Sequence, residues 1–176
     1  MEKTVCKLIP LTGMEWKGQV VRFGDSREQI DRLLGKPERT WENLNYYWNT
    51  ELRVEFDADD RVKFIECLAG IDGDIQPEIY GIPAFETEAE EVLKVLEREN
   101  NGPVDDSENG YSYAFLNIGV GVYREVTPEA VEEMVRELMN VELTALGHID
   151  LERENRRARH WETIGIGDKD YYGHLR

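Results

Sequence analysis

Apolar residues at helical spacing indicate a first short helix. They follow the i, i+3, i+4 period of one helix face and are Ile30, Leu33 and Leu34. Asp25 precedes this stripe and Glu28 follows three residues later, which is the spacing of a capping box. Gly35 and Pro37 come after the stripe, and both residue types end helices. The pattern therefore predicts a helix between Asp25 and Gly35.

Alternation of apolar and polar positions predicts strands on both sides of this helix. Before it, the chain up to Gly24 mixes apolar residues with turn formers, which indicates short strands broken by turns. After it, three strands are predicted at 41–48, 52–56 and 61–68. The segment 57–60 is rich in Asp, whose side chain hydrogen-bonds its own backbone in turns. The last two strands should therefore form a hairpin.

The same order of elements recurs in the second half of the chain. Thr87 and Glu90 repeat the capping-box spacing. A second apolar stripe follows at the offset of the first: Val92, Val95 and Leu96. Each predicted helix then leads into a Gly/Pro turn and an aromatic strand. This recurrence indicates a degenerate internal duplication, with a first unit at 1–74 and a second, abbreviated unit at 75–176.

Three more strands are predicted in the second unit. They lie at 114–116, 120–124 and 161–167, and the last is expected to join the second sheet. Gly119 and Gly121 indicate a bulge or a close approach of the backbone.

Two further helices are predicted near the C-terminus. Thr127 caps the first, with Pro128 at its initial position, and 143–146 prolong it to Gly147. Asp150 caps a charged second helix that ends near 160. The predicted fold is therefore α+β, with two tandem helix plus antiparallel-sheet units and additional C-terminal helices.

The composition favours a basic partner. The chain has 37 acidic and 21 basic side chains, which gives a formal net charge of −16. Such a charge repels nucleic-acid phosphates and anionic membranes, so neither is expected as a partner. A protein with a basic surface fits the charge, and solubility alone is the alternative explanation of it.

The number of cysteines and the length of the apolar stretches indicate the cellular compartment of the protein. Small secreted domains usually carry more than two cysteines, whereas this chain has Cys6 and Cys67. The segment 1–10 lacks the apolar run of a signal peptide, and no stretch of about 18 apolar residues occurs. We therefore expect the chain to be cytoplasmic.

No catalytic, cofactor or metal site is predicted. The serines do not stand in a G-x-S-x-G turn, and the histidines and cysteines lack the spacing of zinc ligands. Gly165-Ile166-Gly167 lacks the third glycine of a dinucleotide fingerprint. Carboxylates are too numerous for the sequence to select a pair for acid–base chemistry, so an enzyme of unrecognised type stays open as an alternative.

Aromatic residues in two predicted strands are the candidate partner-binding residues. Side chains in a strand alternate between the two faces of a sheet, so part of each aromatic run points away from its helix. Tyr and Trp dominate interface hot spots. The alternative is that another element covers both faces. The candidates are Trp41, Tyr46, Tyr47, Trp48, Tyr111 and Tyr113.

One part of the chain resembles a known binding unit. The segment 20–26, the helix up to Pro37 and the hairpin 56–62 are similar to the repeat of the β-lactamase inhibitor protein and related bacterial domains. The similarity covers about 18–70 and, more loosely, 79–126. That repeat is a helix-loop-helix followed by a small antiparallel sheet, and it serves mainly to bind other proteins.

A second resemblance concerns the C-terminal half. The segments 113–124 and 161–172 are similar to uncharacterised bacterial proteins of the kind found as immunity partners beside polymorphic toxins. Together the two resemblances imply an intracellular protein-binding module, an inhibitor or immunity protein that masks a cationic partner surface. A structural or oligomerisation module, which would make the chain a homo-oligomer, is the remaining alternative.

Overall fold

Two β-sheets and four α-helices make up the structure, a computed structural model that describes residues 2–140 and 150–176. The strands are β1 (Thr4–Ile9), β2 (Gly13–Trp16), β3 (Gln19–Arg22), β4 (Arg39–Trp41), β5 (Leu44–Tyr47), β6 (Leu52–Phe56), β7 (Val62–Cys67), β8 (Ile75–Ile79), β9 (Ile82–Pro83), β10 (Val104–Asp105), β11 (Ser112–Phe115), β12 (Val120–Tyr123) and β13 (Thr163–Gly167). The helices are α1 (Arg27–Leu34), α2 (Ala89–Asn100), α3 (Pro128–Met139) and α4 (Leu151–Ala158).

The strands form a small sheet and a large sheet. The small sheet has the order β3-β2-β1-β8-β9, and the large sheet has the order β10-β11-β12-β13-β7-β6-β5-β4. β1 and β8 run parallel, whereas every neighbouring pair in the large sheet is antiparallel. The α+β class is as predicted.

The large sheet runs through both halves of the chain, which differs from the predicted arrangement of one sheet per unit. β13 lies between β12 and β7, with Ile166 opposite Val120 on one side and Ile65 on the other. The alternation of apolar and polar residues along a strand predicts which face is buried but not which strands lie beside it. The position of β13 between β12 and β7 was therefore not predicted. The tandem relation of the halves is not confirmed, and the division at residue 74 stays a prediction.

One hydrophobic core joins the two sheets and the first two helices. Ile30 of α1 and Val92 and Leu96 of α2 are all fully buried in it. The same cluster contains inward side chains of both sheets, such as Met14 of β2 and Ile65 of β7. Ile30, Val92 and Leu96 are therefore buried as predicted, but in one shared core, whereas Leu33, Leu34 and Val95 are only partly buried.

The N-terminus of α1 lies one residue later than predicted. Ser26 Oγ accepts a hydrogen bond from the backbone N–H of Gln29, and Gln29 Oε1 accepts one from the backbone N–H of Ser26 at 2.8 Å. Asp25 instead accepts from the backbone N–H of Arg22, in the turn after β3. Asp and Ser are both good N-caps, so sequence spacing did not distinguish them. Gly35 ends the helix as predicted.

The predicted cap of α2 at Thr87 is wrong. The N-cap position is Glu88, whose side chain makes no capping hydrogen bond. The backbone carbonyl of Arg159 accepts from the N–H of Ala89 at 2.7 Å. A backbone carbonyl from a distant part of the chain thus accepts the hydrogen bond that a capping side chain would otherwise accept.

The predicted strand 41–48 is a hairpin of β4 and β5, which turns at Glu42 in the left-handed region with φ +53°. The predicted hairpin of β6 and β7 is confirmed. In its turn, Asp57 Oδ1 accepts from the backbone N–H groups of Asp59 and Arg61.

The two C-terminal helices begin as predicted. Thr127 Oγ1 accepts from the N–H of Ala130, and Asp150 Oδ1 accepts from that of Arg153. The predicted prolongation of α3 through 143–146 lies outside the described residues.

Candidate functional site

The large sheet has one face in the core and an opposite face, here called the outer face. Directly paired residues on neighbouring strands point to the same side of a sheet. The central part of one such row on the outer face crosses five strands, from β12 to β5, and the row continues through Ala114 to Asp105 of β10 on one side and to Arg39 of β4 on the other. The members of this central part in spatial order are Gly121, Gly165, Glu66, Arg53 and Tyr46.

Glycines on the outer face make room for the C-terminal segment, residues 168–176. A Cβ atom at Gly121 would lie 2.1 Å from the hydroxyl oxygen of Tyr172, and one at Gly167 would lie 2.6 Å from Cβ of Tyr171. Real Cβ atoms do not approach so closely, which is a common reason for glycine inside a strand. The predicted close approach of the backbone occurs at Gly119, where a Cβ atom would lie 2.8 Å from the carbonyl oxygen of Gly167, whereas at Gly121 the close group is the Tyr172 side chain.

Three aromatic rings hold the C-terminal segment against the sheet. Tyr171 stacks on Phe64 with ring centroids 4.2 Å apart, and Tyr172 meets Tyr171 edge to face at 5.0 Å. The Phe64 ring fills the space above Gly165, where a Cβ atom would lie 2.3 Å from its Cζ. Aromatic pairs of this kind stabilise a fold beyond the area they bury.

Two ion pairs lie beside these rings. Tyr171 donates a hydrogen bond to Glu55 at 2.9 Å, and Lys63 Nζ lies 3.0 Å from the same carboxylate. Arg53 donates to Glu66. Burial raises the pKa of the Glu66 carboxyl, and the charge of Arg53 only partly opposes this effect. The carboxylates at the centre of the sheet are thus each paired with a cation.

We expect the two tyrosines to resist ionisation until the fold opens. Burial raises the pKa of both the Tyr171 and the Tyr172 phenol. Because the folded pKa exceeds the unfolded value of about 10, their contribution to stability is complete below that pH and is lost as the pH rises towards the folded value.

In an alkaline titration followed by phenolate absorbance, we therefore expect a late stage that coincides with loss of far-UV circular dichroism. Tyr172→Phe should reduce the amplitude of this late stage. A reduction confined to the early stage, while the protein is still folded, would contradict the assignment.

A groove of about 320 Å³ opens on the outer face between the C-terminal segment and the loop after β10. Three carboxylates line it, those of Glu66, Asp105 and Glu108. Within the described part of the chain, the lining residues include no lysine or arginine. Hydrogen bonds from the side chain and backbone of Ser107 lower the pKa of Asp105, which keeps this carboxylate charged near neutral pH.

The groove also has aromatic walls, formed by Phe64, Tyr123 and Tyr172. A carboxylate attracts a cation through its charge, and the face of an aromatic ring attracts one through its quadrupole. The volume falls in the lower range of small-ligand sites. The arrangement suits the head group of a lysine or arginine side chain.

A larger depression lies on the small sheet, where β1 and β8 end. It measures about 470 Å³ and is lined mainly by apolar surface from residues such as Pro10 and Tyr80. Its charged residues are Lys7 and Glu78, whose charges cancel. It therefore offers no preference for a charged ligand, and the acidic groove is the better candidate despite its smaller volume.

The structure places two of the sequence-predicted residues on the outer face. Tyr46 belongs to the row described above, beside Arg39 of β4. Trp41 lies at the same face on the edge strand β4, opposite Leu44, and is 58% exposed. Both can reach a partner that covers this face.

The other four predicted residues are buried or half-buried. Tyr47 is 1% exposed, and its hydroxyl donates to Asp31 inside the structure. Trp48 packs on Trp16 at a centroid distance of 4.8 Å. Tyr47 would therefore contact a partner only after a rearrangement of the core.

One of those four residues lines the groove. Tyr113 lines it, but the Tyr113 ring packs edge to face on Trp161 at 5.8 Å. Tyr111 is half-buried, and its carbonyl accepts from the backbone N–H of Arg124. The sequence thus predicted one lining residue of the groove and did not select its carboxylates.

None of the helices in 2–140 and 150–176 has the length and apolar character that a bilayer-spanning helix requires. In the same residues, no group of three or more His, Cys, Asp or Glu side chains is placed to hold a metal ion. Comparisons with protein-family models, with curated proteins and with solved structures found no match to this chain.

Proposed function

We propose that the protein is a cytoplasmic protein-binding module, an inhibitor or immunity protein that masks a cationic surface of its partner. The groove on the outer face carries this proposal, because the carboxylates of Asp105 and Glu108 and the ring of Tyr172 line a space that fits a basic side chain. A lysine or arginine of the partner inserts there, and its charge is matched by Asp105 and Glu108, since Glu66 is already paired with Arg53.

The charge of the whole chain supports the same proposal. A net charge of −16 attracts a basic partner over a distance and raises the rate of encounter. Dissolved salt screens this attraction over about 10 Å at 0.1 M ionic strength. Binding should therefore weaken as salt is added.

Two aromatic residues, the exposed Trp41 and the half-buried Tyr46, extend the proposed surface beyond the groove. Trp41 and Tyr46 lie on the outer face of the same sheet, and large aromatic side chains are frequent anchors at the centre of interfaces. A partner that lies across the strands would contact these residues and the groove together. The resemblance to inhibitor repeats and immunity proteins supports the same class of partner.

Removing two charges from the groove tests the proposal. Asp105→Asn with Glu108→Gln keeps the size of both side chains and the acceptor that Asp105 offers to Ser107. We expect the affinity for the partner to fall about tenfold at low salt, which is about 1.4 kcal/mol. The partner is obtained by co-purification from native lysate, and its affinity is then measured by titration calorimetry.

The matched control is Glu132→Gln with Glu133→Gln, which makes the same change in net charge on α3, where both side chains are exposed. It should alter the affinity by less than twofold. Equal losses for the two double variants would show that only the net charge matters. Co-purification of no protein partner at all would contradict the proposed function.

A further inference from the structure

The chain contains two cysteines, and the fold brings them together. Cys6 lies on β1 of the small sheet and Cys67 on β7 of the large sheet. Their sulfur atoms are 3.9 Å apart, although 61 positions separate them in the sequence. Both thiols are almost completely buried.

The two thiols lie where the sheets face each other. Cys6 and Cys67 belong to the shared core, together with neighbours in register such as Leu52 of β6 and Ile164 of β13. Since Cys6 and Cys67 are the two cysteines of the sequence, each thiol has one possible partner within the chain. A bond between them would join the two sheets across the core.

We propose that Cys6 and Cys67 are the two halves of an inter-sheet disulfide that forms when the chain meets a low-molecular-weight disulfide oxidant. A disulfide requires a sulfur–sulfur distance of about 2.05 Å, so the sulfur atoms must approach by about 1.9 Å. This movement requires rotation about the Cα–Cβ bonds or a shift of β1 towards β7.

Oxidised glutathione is a suitable oxidant. The thiolate of one cysteine attacks a sulfur of oxidised glutathione, and one glutathione thiolate leaves, which gives a mixed disulfide. The second cysteine, as thiolate, attacks the protein sulfur of this mixed disulfide, and the second glutathione leaves. The cysteine pair loses two electrons and two protons, and both glutathione molecules gain them as thiols.

The fold controls when this exchange occurs. The hydrogen bond with Cys6 and burial raise the pKa of the Cys67 thiol, and a protonated thiol is a poor nucleophile. Glutathione also cannot reach a thiol inside the core. The cross-link therefore forms during folding, or in the folded protein only when β1 moves away from β7.

Refolding under a glutathione redox buffer tests the proposal. The unfolded chain is diluted into oxidised and reduced glutathione, free thiols are alkylated, and intact mass and near-UV circular dichroism are recorded. We expect a monomer that has lost two hydrogen atoms, carries neither glutathione nor alkyl groups, and retains the spectrum of the reduced protein. Free thiols, a persistent mixed disulfide, a disulfide-linked dimer or a non-native spectrum would each overturn the proposal.

Two further measurements separate a native cross-link from accidental oxidation. Cys6→Ser should leave Cys67 as a mixed disulfide or a free thiol, because no second thiol in the chain can displace glutathione. The cross-link should lower the equilibrium constant for unfolding by roughly a thousandfold, as expected for a closed loop of this size. A cross-linked chain that unfolds as readily as the reduced one would also overturn the proposal.

Discussion

Trp161→Ala is expected to lower the free energy of unfolding by about 3–5 kcal/mol, the usual range for removing a large buried aromatic side chain. Trp161 is fully buried and is among the largest side chains in the core. Its indole Nε1 donates to the carbonyl of Ala89 at 3.2 Å, at the beginning of α2. The guanidinium of Arg124 lies 4.8 Å from the ring centroid. The substitution therefore leaves a cavity and also removes a hydrogen bond to α2.

Trp41→Ala is the matched control, because it deletes the same side chain from an exposed position. Its effect should stay within about 0.5 kcal/mol, as for most surface substitutions. Guanidinium unfolding curves of both variants give the comparison. Similar losses of stability in the two variants would show that the burial assigned to Trp161 is wrong.

Asn100→Ala is expected to cost about 2–3 kcal/mol. Asn100 is the last residue of α2, and its side chain is buried. Its Oδ1 accepts from the backbone N–H groups of Asn117 and Ile118, and its Nδ2 donates to the carbonyl of Pro103. Alanine leaves the N–H groups of Asn117 and Ile118 without this acceptor, whereas the Pro103 carbonyl keeps the hydrogen bond that it accepts from the N–H of Leu116. Each N–H group left unpaired costs about 1–3 kcal/mol when water cannot replace the bond.

Glu99→Ala provides the control in the same helical turn, since Glu99 is exposed and alanine is a good helix former. It should change the stability by no more than about 0.5 kcal/mol. The measurement is again chemical denaturation. A loss below about 1 kcal/mol for Asn100→Ala would mean that water replaces the lost hydrogen bonds.

Local features of the fold were predictable from the sequence because neighbouring residues determine them. The end of α1 at Gly35, the hairpin of β6 and β7, and the Thr127 cap of α3 all depend on residues within one turn of each other. The start of α2 was misplaced because the carbonyl of Arg159 satisfies the N–H of Ala89. Local sequence patterns do not predict a hydrogen bond between residues as far apart in the sequence as Ala89 and Arg159.

The candidate site was harder to predict for the same reason. Asp105 and Glu108 are two of 37 acidic residues, and nothing near them in the sequence shows that they share a groove with Glu66. Tyr172 reaches the groove only because the C-terminal segment folds back over the glycines of β12 and β13. Gly121 was the local indication of this contact, because a glycine inside a strand indicates that another group lies close to it but does not identify that group.

The position of β13 in the large sheet has a consequence for synthesis on the ribosome. β7 is complete at Cys67, but its neighbour β13 begins only at Thr163. Until β13 leaves the exit tunnel, β7 and β12 both present unpaired edges, which are templates for pairing with other chains. The nascent protein is therefore most exposed to aggregation between the synthesis of β12 and that of β13, and chaperones would protect it best in that interval.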